Sequence, residues 1–228
     1  MFPIFAAVGA ALSSVVTAVS SIGAAASSFM TSMATVITTL PAPVLRQYIE
    51  TIVRCANIVL QVLEILQPNE PVDNLGERAL QAKEQGVCIE DFEDFDDYMA
   101  GLRNFELDPG KAAQRDPLEK QLAGLGVATA ALEHKLNTGR GELSGIWLLP
   151  MVNPQYFTPE RMQSLLTAGQ LGGDILGYLD KCLSGGEARE IEKGMEVDAE
   201  GKQLDKAGLS ELYQALDSSR EAWADLIN

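Results

Sequence analysis

Few side chains in this sequence could carry chemistry. The three cysteines, Cys55, Cys88 and Cys182, lie far apart, and no two of them have the CxxC spacing of a zinc or redox motif. The one histidine, His134, falls in a charged turn of a predicted helix. We therefore expect buried or half-buried thiols in a reducing compartment and an ordinary surface histidine. These residues predict no catalytic site, no cofactor and no metal.

A strongly acidic stretch from Glu90 to Tyr98 is the second candidate for chemistry. Six of its nine residues carry carboxylates. An EF-hand loop counted from Asp91 would place Phe95 at a ligand position, so the spacing argues against a calcium site. We expect a solvated helix start in which Phe92, Phe95 and Tyr98 are anchors and the carboxylates lie near a helix N-terminus.

An acidic-residue hydrolase is an alternative, because such enzymes need only two acids in a cleft. Nothing in the sequence singles out two of the 32 acidic residues. This alternative predicts a cleft carboxylate with a raised pKa.

Charge divides the chain into unlike parts. The formal net charge is −15, from 32 acidic and 17 basic residues, which repels phosphate and argues against nucleic acid as a partner. The charged residues up to position 67 sum to zero, and they are Arg46, Glu50, Arg54 and Glu64. We predict an uncharged helical segment (1–42), a second apolar helix (43–67) and an acidic helical domain (68–228).

Helix signals dominate the sequence, so we predict an all-α fold. A proline-containing break at 41–43 separates the first two helices. Asp116 and Glu119 have the spacing of a capping box at the start of a long helix, and Ser210 is the expected cap of the last helix. The apolar run from Ile146 to Val152 is the one candidate for a strand or a buried extended segment.

The N-terminal segment has a heptad pattern, with apolar residues spaced alternately by three and four over five repeats. The seam positions, which are the predicted oligomerisation residues, are Phe5, Val8, Leu12, Val15, Val19, Ile22, Ala26, Phe29, Met33, Val36 and Leu40. A strict 3.5-residue repeat predicts a left-handed coiled coil, and a continuous 36-residue helix would be roughly 54 Å long. Valine and isoleucine at the d positions favour three or more strands.

The outward positions of this predicted coiled coil are uncharged. A Ser-Ser pair recurs at 13–14, 20–21 and 27–28, and alanine and threonine fill most of the remainder. A coiled coil in water normally carries charged residues at these positions. We infer that other protein or lipid surrounds the bundle, or that it lines a narrow space.

Three other interpretations of this segment compete with the coiled coil. A signal peptide would need a basic n-region and a shorter segment. A transmembrane helix is possible by length, but twelve Ser/Thr among forty residues make it only mildly hydrophobic, and no basic flank or aromatic belt orients it. A helix packed within its own monomer also predicts apolar periodicity, although a 3.5-residue period is harder to justify on a straight helix.

The second helix repeats the alternation of four and three in a displaced register. We interpret it as a central packing helix or a second oligomer interface. Its apolar seam consists of Leu45, Ile49, Ile52, Ala56, Val59, Leu63 and Leu66.

An uncharged helical N-terminus on an acidic helical body resembles structural proteins of tailed bacteriophages, especially tail-tip or baseplate components and ejected internal virion proteins. The Ser-Ser heptads of 12–28 and the acidic stretch at 90–98 carry the resemblance. It implies a non-enzymatic homo-oligomer, a trimer or larger, in a virion tail, with other virion proteins as partners and a possible host-membrane contact during infection. The alternative function is a membrane-inserting pore or ejection protein.

Overall fold

The computed structural model describes residues 13–169, 171–198 and 200–227. The all-α prediction is confirmed for this part of the chain, where the only β feature is an isolated antiparallel bridge between Val197 and Gln203. In chain order, the helices are α1 (13–20), α2 (Ala24–Thr39), α3 (Ala42–Val62), α4 (Val72–Glu84), α5 (Phe95–Asn104), α6 (Pro109–Gln114), α7 (Pro117–Leu136), α8 (Leu148–Val152), α9 (Pro159–Thr167), α10 (Ile175–Leu179), α11 (Gly185–Met195) and α12 (Lys206–Ile227).

The central helix is α7, against which α2, α3, α4 and α5 all pack. It begins where predicted, because the Asp116 side chain accepts a hydrogen bond from the Leu118 N–H at 2.9 Å. The predicted capping box does not close, since Glu119 instead accepts a hydrogen bond from Arg115 at 2.9 Å. Alanine, glycine and leucine make up most of its middle, and the helix is buried on nearly every side there.

Two glycines allow α4 and α7 to touch backbone to backbone. A Cβ atom at Gly76 would lie 2.5 Å from the Gly124 nitrogen and even closer to the Lys120 carbonyl oxygen. A Cβ atom at Gly124 would collide in the same way with the Val72 carbonyl oxygen. These are the closest helix neighbours of the fold, and only glycine permits this approach.

The long N-terminal helix predicted from the heptads is interrupted between α1 and α2, so the prediction of a continuous rod is wrong in the described residues. Gly23 is extended there, with φ 165° and ψ 170°. A distant turn occupies the gap: the Ile89 N–H donates to the Ile22 carbonyl at 3.3 Å, and the Ala24 N–H donates to the Glu90 carboxylate at 2.6 Å. These bonds replace helical ones that the break removes.

The expectation of a strand or a buried extended segment at 146–152 is wrong for the backbone, because these residues form turns followed by α8. Every residue of the run except Val152 is buried, as the apolar composition predicts. Pro150 lies in the first turn of α8, where a missing N–H costs no helical hydrogen bond.

The last helix starts earlier than the sequence predicts. Ser210 lies inside α12 and does not cap it. The side chain that bonds the first turn is Asp205, which accepts from the Gly208 N–H at 2.8 Å. Both residue types are good helix caps, so residue type alone does not determine which of them the chain uses.

One hydrophobic core joins the three predicted segments. It extends from Val15 to Trp223 and contains the fully buried Trp147. The second helix, α3, packs against α7, α8 and α9 with its seam buried from Leu45 to Val59, so it is a packing helix of the monomer. The charge boundaries therefore do not separate independent cores.

Candidate functional site

The predicted oligomerisation residues that the structure describes are buried in the core of the single chain. Of the eleven, Phe5, Val8 and Leu12 lie outside the described residues. The other eight are Val15, Val19, Ile22, Ala26, Phe29, Met33, Val36 and Leu40, and each is between 0% and 7% exposed. Because α2 packs on α7, this seam faces the chain's own core. A contact between copies through the same side chains would require the helices to leave that core.

The opposite face of α1 and α2 forms an uncharged surface, which we call the neutral N-terminal surface. Its exposed residues are Ser13, Ser14, Thr17, Ser21, Ala24, Thr31, Thr38 and Thr39, and its half-buried residues include Ser20, Ser27, Ser28, Ser32 and Thr35. The chain carries no charged side chain before Arg46. This face thus differs from the rest of a protein whose net charge is −15.

Hydroxyl groups on the neutral N-terminal surface bond to their own helices. Thr17 donates to the Ser13 carbonyl at 2.9 Å, and Thr38 donates to the Ala34 carbonyl at 2.8 Å. The hydroxyls of Ser28 and Thr31 likewise donate to the carbonyl oxygen four residues earlier in the helix, at 3.1 and 3.0 Å. Since these hydroxyl donors are already satisfied, covering the surface leaves few unpaired polar groups.

A groove of about 480 Å³ opens beside this surface. It is lined by Ser28 and Thr31 of α2, and across from them by Arg140, Glu142 and Asp174. The last of these caps α10, accepting from the Gly177 N–H at 2.8 Å, so its position is fixed by the fold.

The acidic stretch has a structural role that the sequence analysis missed. Glu90 accepts the Ala24 N–H and thereby caps α2, whose own N-cap residue, Gly23, has no side chain to do so. A Cβ atom at Gly23 would lie 3.0 Å from both Glu90 and Ile89, so the glycine makes room for this contact. The carboxylate also lies at the positive end of the α2 dipole.

Replacing Glu90 with alanine is therefore expected to lower the free energy of unfolding by about 1 kcal/mol, the usual value of a helix cap. Urea unfolding of the two proteins measures the difference. Glu93 is the matched control, since it is exposed and makes no hydrogen bond or ion pair with the described residues. Equal losses from Glu90→Ala and Glu93→Ala would show that Glu90 does not cap α2.

The acidic stretch also contacts His134, the one histidine of the sequence. His134, in the last turn of α7, places its Nε2 atom 3.7 Å from Asp94 Oδ1. The ring of Phe95 stacks on the imidazole, with centroids 5.8 Å apart. One donor atom each from Asp94, Asp96 and His134 lies within 4.8 Å of the others, and all three residues are exposed.

The predicted aromatic anchors of the acidic stretch also pack together, because Phe92 and Phe95 both contact the buried Tyr98 ring edge-on.

The cysteines remain free thiols with different surroundings. Burial raises the pKa of Cys55 to about 12. Cys88 is half-buried, as expected, and lies 2.9 Å from the Lys83 ammonium, whereas Cys182 is exposed rather than buried or half-buried. Their separate locations give no joint metal or disulfide site in the described residues.

One buried carboxylate has the raised pKa that the hydrolase alternative predicts. Burial raises the pKa of Glu133. Its two oxygens, however, accept the N–H groups of Gly141 and Leu143 at 3.0 and 2.9 Å. The side chain therefore holds the loop after α7, and its acceptor positions are already occupied by that loop.

In the part of the chain that the structure describes, no helix combines the length and apolar character needed to cross a membrane. No protein-family model, curated protein or solved structure matches this chain. The resemblance to tail proteins therefore stays a prediction from the sequence.

Proposed function

We propose that this protein is a non-enzymatic structural protein of a virion tail, which assembles into a homo-oligomer through the neutral N-terminal surface. The observation that carries the proposal is a continuous face without charge, on α1 and α2, on a chain whose net charge is −15. Two copies with this net charge repel one another overall, so association is least costly where neither surface carries charge.

Side-chain chemistry also supports this contact. Alanine, serine and threonine lose little rotamer freedom when they are covered, compared with lysine, glutamate or glutamine. Back-bonded hydroxyls such as those of Thr17, Thr31 and Thr38 reduce the cost of removing water. The proposed contact uses the outer face of the N-terminal helices, whereas the heptad seam stabilises the monomer.

The proposed assembly is cyclic, a trimer or larger, with the neutral N-terminal surfaces near the axis and the acidic bodies outside. A closed ring lets each copy use one face without leaving an edge for further growth. In a tail tip or baseplate, neighbouring virion proteins would contact the acidic exterior. Reconstruction of the particle tests this placement.

Mass measurement of the full chain in solution tests the self-association. We expect a mass that is a multiple of 24.5 kDa, and we expect the double variant Thr17→Glu with Thr31→Glu to fall to 24.5 kDa while its circular dichroism is unchanged. Both residues are exposed, so the added charges act on the surface rather than on the core.

The matched control adds the same two charges elsewhere, as Ser210→Glu with Ser218→Glu on exposed positions of α12. This variant is expected to keep the oligomeric mass. A monomeric wild-type protein, or a Thr17/Thr31 variant that keeps the oligomer, would overturn the proposed interface. Flotation of the full chain with liposomes would favour the membrane-inserting alternative instead.

A further inference from the structure

The fold brings the acidic stretch and the only histidine together at one end of α7. Asp94 caps α5, Asp96 lies in its first turn, and His134 lies in the last turn of α7. We propose that these three side chains form a binding site for one divalent transition-metal ion of the zinc or nickel class. The site is independent of the proposed assembly contact, because it lies on different elements from the neutral N-terminal surface.

The geometry of the three donors suits a shared ion. Their donor atoms lie within 4.8 Å of one another, and the Nε2 to Oδ1 distance between His134 and Asp94 is 3.7 Å. Ligands around zinc sit at about 2.0–2.2 Å from the ion, and hence roughly 3–3.5 Å from each other. Side-chain rotations that move these exposed donor atoms by about 1 Å would bring them to the spacing of zinc ligands.

Two surrounding contacts restrain the orientation of the proposed ligands. The Phe95 ring stacks on the imidazole at 5.8 Å, with 28° between the planes, and so limits its rotation. The Asp94 carboxylate is held at the end of α5, because its Oδ1 accepts the Asp96 N–H at 2.8 Å. Oδ1 keeps a further lone pair for a cation, because a carboxylate oxygen can accept more than one partner.

The charges around the site favour a cation. The Asp96 carboxylate makes no hydrogen bond or ion pair with the described residues. Two basic side chains line the same groove as Asp96 and His134, and both have other partners: Arg103 bonds Glu70 and the Ile65 carbonyl, and Lys135 donates to the Leu63 carbonyl at 2.6 Å. Neither of these two side chains is bonded to Asp94 or Asp96 in the described residues.

The donor set indicates which ion binds. One imidazole nitrogen with two carboxylate oxygens suits borderline metals such as zinc, nickel and cobalt, whereas magnesium and calcium prefer oxygen ligands alone. Water would complete the coordination, since the site is open to solvent. A bound ion would join the start of α5 to the end of α7.

Calorimetric titration of the full chain, prepared without a histidine tag, with zinc chloride and with nickel chloride tests the site. We expect one ion per chain. His134→Ala and Asp96→Asn should each weaken binding roughly tenfold or more, because even the loss of a residue that only hydrogen-bonds a metal ligand typically lowers metal affinity by that factor. Asp94→Asn should weaken binding similarly, and it keeps the helix cap because asparagine caps as well as aspartate.

Asp97→Asn is the matched control, since it removes the same charge from the next residue, which is not in the donor cluster. This variant should change the affinity by less than about twofold if ligands rather than overall charge hold the ion. The inference fails if neither metal binds, if His134→Ala binds as the wild type does, if Asp97→Asn weakens binding as much as Asp96→Asn, or if magnesium binds as tightly as zinc. All variants alter exposed side chains, and circular dichroism checks that each one is folded.

Discussion

Replacing Gly124 with alanine is expected to destabilise the protein by about 3 kcal/mol, near the upper end for overpacked sites. The new methyl group would enter the space of the Val72 carbonyl oxygen, which belongs to the backbone of α4. A side chain could rotate away, but a helix backbone can only move as a whole. Since α4 and α7 make the most extensive helix contact in the fold, their separation would disturb the central packing.

Urea unfolding, followed by circular dichroism, measures this loss against a second glycine-to-alanine change. Gly101 is exposed within α5, and a Cβ atom there would meet only the Phe92 ring at 3.5 Å. Gly101→Ala should therefore stabilise the protein slightly, by up to about 1 kcal/mol, from helix propensity. If Gly124→Ala proved as stable as Gly101→Ala, the close contact between α4 and α7 would be incorrect.

Replacing Arg115 with methionine is expected to cost about 3–5 kcal/mol, as for other broken buried ion pairs. Arg115 bonds three carboxylates: Glu77 at 3.2 Å, Glu84 at 2.5 Å and Glu119 at 2.9 Å. The Glu77 side chain is only 3% exposed. Without the guanidinium group, the buried Glu77 carboxylate would keep only two partners among the described residues. They are the Gln81 amide, which donates at 2.7 Å, and the more distant Lys120 ammonium, at 3.9 Å.

The loss of Arg115 should be partly recovered in the double variant Arg115→Met with Glu77→Gln, because the buried charge is then absent. Lys111→Met is the matched single control: its ammonium also bonds Glu84, but the side chain is 51% exposed. That change should cost less than about 1 kcal/mol. Equal unfolding midpoints for the two single variants would rule out a special role for the Arg115 cluster.

Local signals predicted much of the helical architecture. The proline break after Leu40 and the helix cap at Asp116 both lie where these residue types predict them. Such signals act over one helical turn, so they need no knowledge of the fold. They failed at the last helix, where Asp205 and Ser210 are both good cap residues and the Asp205 side chain is the one that bonds the first turn.

The heptad pattern predicted which residues are buried but not what covers them. A 3.5-residue repeat drifts by only about 20° per heptad on a straight helix. The chain breaks at Gly23, and the 16 residues of α2 that follow are too few for that drift to move the seam off the core. The same pattern therefore fits packing on α7, which was an open alternative, as well as it fits a supercoil.

Contacts between distant residues account for most of what the sequence analysis missed. Glu90 and Ala24 are separated by 66 positions, and a carboxylate in an acidic stretch has no pattern that names its partner. The approach of His134 to Asp94 similarly depends on how α5 packs against α7. Only the three-dimensional arrangement assigns these side chains.

The packing of α2 on α7 has a consequence for the order of synthesis. Translation proceeds at about 5–20 residues per second, so α2 is synthesised several seconds before Glu90 and α7. During that interval the inner face of α2, including Phe29 and Met33, lacks α7, the helix against which it packs most extensively in the folded chain. The N-terminal helices therefore reach their final packing only after the middle of the chain has been made.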